Sequence, residues 1–190
     1  MSDKNKRLLI VGVVVLLLCA LSTTAFLTSE RVSDNVLTFG NLRVQLINNT
    51  IDETGAEVPV EQSEEKLTGT SVSRIIKVKN ICKNSMYVRV KIEFKGEDKQ
   101  GEFAANEYVS FQHSGKGWSQ GADWFYYTKE LKPEQETTDL FRELQVDLDR
   151  LMTDHAGSKL TFKVSAQAVQ SDNNGASAEE AQGWPKEAGK

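Results

Sequence analysis

The chain has 190 residues, 39% of them hydrophobic and 26% charged, with 27 acidic side chains against 23 lysines and arginines. That is material for one domain with a core of its own. A net charge of −4 excludes the broad basic footprint that nucleic-acid binding requires.

The N-terminus has the layout of a secretory signal peptide. Lys4, Lys6 and Arg7 form a positive region, and Leu8 to Leu21 is an apolar run of 14 residues. A permanent membrane helix needs roughly 20. Ser22, Thr23 and Thr24 follow at once, and Thr23 and Ala25 supply the small side chains a signal peptidase reads before a cut at Phe26. Residues 1–25 are therefore expected to form a leader helix that is removed. The alternative is an uncleaved anchor, since Ala25, Phe26 and Leu27 lengthen the greasy stretch. A lipoprotein anchor is disfavoured because Leu18, not a small residue, precedes Cys19.

Cleavage removes Asp3 together with Lys4, Lys6 and Arg7, which moves the net charge from −4 to −6. It also removes Cys19 and leaves Cys82 alone, so no internal disulfide is expected. Cys82 has no histidine near it in sequence and reads as a small buried hydrophobe rather than a reactive thiol.

Beyond the leader the dominant pattern is alternation with period two. Leu37 and Phe39, then Leu42, Val44 and Leu46, flank Gly40-Asn41 and predict a strand with a bulge or turn at the glycine. Val72 to Lys79 is a shorter strand candidate. The run Asn80 to Ser85 carries turn-forming asparagines and a serine, and predicts a hairpin into the next strand. In that strand Val88, Val90, Ile92 and Phe94 alternate with Arg89, Lys91 and Glu93. Tyr108 to Gln112 is a further short candidate. After three glycines in Gly115 to Gly121, Trp124 to Tyr127 predicts an aromatic strand that is more readily core than a sugar-stacking surface.

Leu140, Leu144, Leu148 and Met152 fit a helix, while Leu144, Val146 and Leu148 fit a strand. The expectation is a strand near Phe141 to Asp147 that runs into a short helix around Asp149 to His155, ended by Gly157. Leu160, Phe162, Val164, Ala166 and Ala168 share one face of a last strand. From Ser171 onward no periodic apolar face remains, so residues 171–190 are expected to be a flexible tail with Trp184 as its possible anchor. Together these elements predict an all-β domain over 26–170, an antiparallel β-sandwich with one or two short helices.

Chemistry is sparse. Only His113 and His155 exist, neither in a metal-ligand spacing, and there is no H-E-x-x-H, Walker or G-x-G-x-x-G motif. Asp52, Glu53, Glu64 and Glu65 lie in a polar segment without a calcium-loop pattern and read as solvated. No catalytic residue, cofactor or metal is expected.

Several stretches resemble the TasA and camelysin family of exported Gram-positive proteins: Thr23-Thr24-Ala25-Phe26-Leu27-Thr28-Ser29-Glu30, then Asn35 to Leu42 in the form N-x-x-x-x-G-x-L. Gly121 to Tyr127, Leu131-Lys132-Pro133, Thr138 to Phe141 and the closing Val164 to Gln170 extend the similarity over most of residues 4–170. The resemblance implies a sandwich of jelly-roll type, leader removal by a SipW-type signal peptidase and secretion to the cell surface or biofilm matrix. It also implies assembly into fibres with copies of itself or related subunits, with only transient membrane contact through the leader. Each subunit would give its freed N-terminal strand to the next, with Phe26, Leu27, Val32, Val36 and Leu37 as the apolar positions of that donor. A surface metallopeptidase is an alternative that some family labels suggest, although this chain lacks the residues for one. A monomeric, membrane-anchored adhesin or accessory protein is another.

Overall fold

The computed structural model describes residues 26–30, 42–60, 64–67 and 69–185. The expected leader with Thr23 and Ala25, the strand through Leu37 and Phe39, and the donor positions Val32, Val36 and Leu37 lie outside the described residues.

The chain is all-β. In order it forms β1 (Phe26–Glu30), β2 (Val44–Ile51), β3 (Glu57–Pro59), β4 (Glu64–Lys66), β5 (Ser71–Ser73), β6 (Ile75–Asn80), β7 (Met86–Asp98) and β8 (Gly101–Ala104). A 3-10 turn (Ala105–Glu107), β9 (Val109–Ser110), β10 (Trp118–Gln120), β11 (Phe125–Tyr127), β12 (Glu143–Val146), α1 (Leu148–Asp154) and β13 (Lys159–Gln170) complete it.

The main sheet is ordered β10-β11-β7-β13-β1-β4, with β8 also on β7. Its spine is the long antiparallel pair of β7 and β13, in register from Lys159↔Glu97 to Gln170↔Met86. Their alternation explains why. Leu160, Phe162 and Val164 on β13, and Val88 and Val90 on β7, are buried on one face, and the charged and polar residues between them turn the other way. Two small sheets, β5-β12-β9 and β3-β2-β6, contribute Val72, Leu144, Val146, Val44, Ile76 and Val78 to that same core. Phe141 and Phe162 are among its largest fully buried side chains, and each removes well over 100 Å² of apolar surface from water.

Two expectations between Val72 and Ser85 are corrected. Val72 to Lys79 is broken at Arg74: β5 pairs with β12, while β6 pairs with β2 in the other small sheet. The break lets one run of chain serve two sheets. Asn80 to Ser85 is not a hairpin, because β6 and β7 belong to different sheets and do not pair. The run is a crossing, and Asn80 holds it. Its fully buried amide donates to the Asn84 carbonyl (2.8 Å) and the Leu131 carbonyl (2.9 Å) and accepts from the Cys82 N–H (2.9 Å). Cys82 is buried, as its sequence context suggests, and its sulfur accepts from the Arg43 N–H at 3.2 Å.

The ambiguous leucine run resolves into both forms in succession. Strand β12 is followed by α1, whose first turn is capped by Asp147 accepting from the Arg150 N–H (3.1 Å), and Gly157 takes a positive φ of 76° just beyond it. Tyr108 to Gln112 shortens to β9. The aromatic stretch forms β11 and pairs with β10, with Trp118, Phe125 and Tyr127 buried in the core.

The tail is not free over its described length. Residues 171–185 fold back on the outer face of the main sheet, where Ala178, Ala181, Tyr87 and Val169 form a second buried cluster with Tyr126 and Trp184 against it. Small alanines let the segment approach the sheet closely, so its burial leaves no greasy signature in the sequence.

Candidate functional site

The edge of β13 carries an added strand. Strand β1 lies along it in parallel, with Phe26 opposite Lys159, Leu27 opposite Leu160 and Glu30 opposite Lys163. Among the described residues the other strand pairings are antiparallel. The outer side of β1 carries β4, antiparallel, with Phe26 opposite Lys66 and Thr28 opposite Glu64. Two of the expected donor residues, Phe26 and Leu27, are thus sheet residues of β1. Phe26, Leu27 and Thr28 have ladder partners on both sides, which is what an isolated N-terminal segment lacks.

At the other end of β13 sits a cluster that sequence reading missed. Arg89 lies on the outer face, opposite Gln167 on β13 and Tyr126 on β11. Its Nε and Nη2 donate to Gln167 Oε1 at 3.0 and 2.7 Å. The guanidinium carbon lies 4.1 Å from the centre of the Trp124 ring and 4.5 Å from that of Trp184. A residue that alternation marks as solvent-facing is here the clamp for the C-terminal segment.

A second polar cluster ties α1 to the β7–β8 hairpin. Asp98 Oδ1 accepts from the N–H groups of Gln100 (2.7 Å) and Gly101 (3.1 Å), and Asp98 Oδ2 meets His155 Nδ1 at 2.7 Å. The hydrogen bond with His155, followed by that from Gln100, holds the Asp98 carboxyl below the usual aspartate range. The His155 ring stacks on Phe103 with centroids 3.6 Å apart, and Phe103 covers its cross-strand partner Gly96. A Cβ at position 96 would come within 2.1 Å of that ring, so the glycine is what allows it to lie flat. Glu57, on the far small sheet, accepts from Lys77 Nζ (2.7 Å) and Asn49 Nδ2 (2.8 Å), which lowers its pKa as well.

His155 is paired with Asp98 and packed against the rings of Phe103 and Tyr108. Among the described residues no group of three or more His, Cys, Asp or Glu side chains is placed to hold a metal ion. A cavity of about 670 Å³ opens beside Lys91 to Lys95, between the end of β11 pairing at Val90 and the start of β8 pairing at Lys95. Its floor includes Ile92, Phe94 and Phe111, and its lining contains no His, Ser or Cys. No helix among the described residues is long and apolar enough to cross a membrane.

No family model, curated protein or solved structure matches this chain.

Proposed function

We propose that this chain is a secreted structural subunit of extracellular fibres at the cell surface or in a biofilm matrix, rather than an enzyme. The observation that carries the reading is β1. The segment that begins at the residue expected to follow signal-peptide cleavage is itself an added strand on the edge of β13. A strand that adds to an edge in its own chain adds by the same ladder to the edge of an identical chain, because register and backbone groups are the same in both.

The layered core is read as a jelly-roll sandwich, completed by this strand. Cleavage by a SipW-type peptidase after Ala25 would gate assembly. Before the cut, the segment is joined to a leader held at the membrane; after it, Phe26 is a free end able to enter a neighbour. The partners are then copies of the chain or related fibre subunits, and the acidic mature balance gives no reason to add nucleic acid.

Electron microscopy of protein beginning at Phe26, compared with protein that keeps additional residues before it, tests the reading. Fibres from the first and few or none from the second are expected. Absence of fibres from both, across concentration and pH, would end it.

A further inference from the structure

We propose that the site receiving a neighbour's N-terminal strand is a slot with two walls, β13 on one side and β4 on the other, and that β4 acts as its latch. The inference rests on the fibre reading above. It adds which segments of the receiving subunit grip the donor.

The registers carry the argument. Thr28 in β1 is opposite Thr161 on β13 and, across its other edge, opposite Glu64 on β4. The same residue is thus held from both sides, in parallel on one and antiparallel on the other. A donor bound only to β13 would present its outer backbone groups to water, and would be a sheet edge open to any further strand. With β4 closed over it, the donor becomes an interior strand whose N–H and C=O groups find partners on both flanks. The two ladders also differ in reach: β13 pairs with all five residues of β1, and β4 with Phe26, Leu27 and Thr28. The latch therefore covers the leading end of the donor, the end that cleavage creates.

The occupant follows from the same geometry. Within one copy the slot is filled by that copy's own Phe26–Glu30, so the segment that fits in trans is the identical segment of a second copy. Cis occupancy is then a self-capped state that must open before a neighbour's strand can enter.

The test uses single cysteines in protein beginning at Phe26, on a Cys82→Ala background that removes the remaining native thiol. Copies carrying Thr28→Cys are mixed during assembly with copies carrying either Thr161→Cys or Glu64→Cys, and a short thiol cross-linker is added. Covalent dimers from both mixtures are expected. Dimers with Thr161→Cys alone would overturn the latch and leave the fibre reading standing. Fibres that give dimers with neither partner would place the donor elsewhere and overturn the slot.

A second measurement avoids any doubt over assembly yield. In a single chain carrying both Thr28→Cys and Glu64→Cys, oxidation should lock β1 in its own slot, because directly opposed strand residues lie within disulfide reach. Fibre formation should be lost on oxidation and return on reduction. Unchanged assembly by the oxidised chain would sink the proposal, whereas failure of the unsubstituted Phe26 protein to form fibres under any condition would sink the fibre reading beneath it.

Discussion

Arg89 is held between Trp124 and Trp184, its guanidinium 4.1 Å from the first ring centre and 4.5 Å from the second. Trp124 belongs to the turn before β11 and Trp184 to the C-terminal segment, so a single cation on β7 joins two regions far apart in sequence. Gln167 fixes its plane through two hydrogen bonds to one oxygen.

The clamp predicts unequal effects at its three corners. Trp184→Ala should release residues 171–185 to proteases and cost about 1–3 kcal/mol, the scale of a partly buried aromatic with a cation–π contact. Arg89→Lys keeps the charge and loses the planar fork, so it should free the tail nearly as well. Limited proteolysis alongside thermal melts decides this. A tail equally protected in wild type and Trp184→Ala would show that the clamp does not hold it.

Asn80 should be the most sensitive polar position in the core. Asn80→Ala leaves the Leu131 carbonyl and the Cys82 N–H without a side-chain partner in a buried crossing, at about 1–3 kcal/mol. Chemical denaturation should show a lower midpoint with an unchanged slope. A change below about 0.5 kcal/mol would mean that water replaces the amide.

Phe162→Ala should cost about 3–5 kcal/mol, because the ring is fully buried and stacks on Phe94 at 5.5 Å while Phe141 meets it edge-on. Equilibrium unfolding measures it, and a loss under about 1 kcal/mol would contradict the packing described.

The Asp98–His155 pair sets a pH dependence whose sign follows from the direction of the shift. Asp98 titrates lower in the folded chain than in the unfolded one, so it binds fewer protons when folded. Its contribution is complete above the ordinary aspartate range near about pH 4 and is lost as the pH falls through the lowered folded value. Asp98→Asn should therefore be less stable than wild type at about pH 5, with the difference closing towards about pH 2.5. A deficit that stays constant across that range would show that the carboxylate charge is not the source.

Gly96→Ala probes the same corner from the strand beneath. The new methyl must displace the Phe103 ring and with it the stack on His155, at about 1–3 kcal/mol. Calorimetry should show a lower Tm. A Tm equal to wild type would mean the ring has room to move aside.

What could be read from the sequence, and what could not, divides along physical lines. Leu160 to Ala168 and Val88 to Phe94 announce themselves because each strand has a buried face and a wet one, and period-two alternation is a direct image of that. Partner choice has no such image. Nothing in Val72 to Lys79 marks Arg74 as the point where one sheet is exchanged for another, and nothing in Asn80 to Ser85 separates a crossing from a hairpin. The clamp escaped notice because Arg89 obeys the alternation and faces outward; only the folded-back tail turns that exposed position into a stacked one. Trp184 was the legible half of it, a large aromatic in an otherwise polar stretch with no other reason to be there. At the edge of β13, Phe26 and Leu27 stand out as apolar residues, while β4, with the sequence Glu64-Glu65-Lys66, has the composition of a solvated loop and gives no sign of pairing.

Strand β13 carries β1 along its first five residues, whereas the C-terminal segment leaves from its far end and clamps near Gln167. A strand of this length spans roughly 40 Å. The chain therefore keeps β1 and its C-terminal fold towards opposite ends of one strand, and in the proposed fibre a reporter joined after the clamp would lie away from the joints.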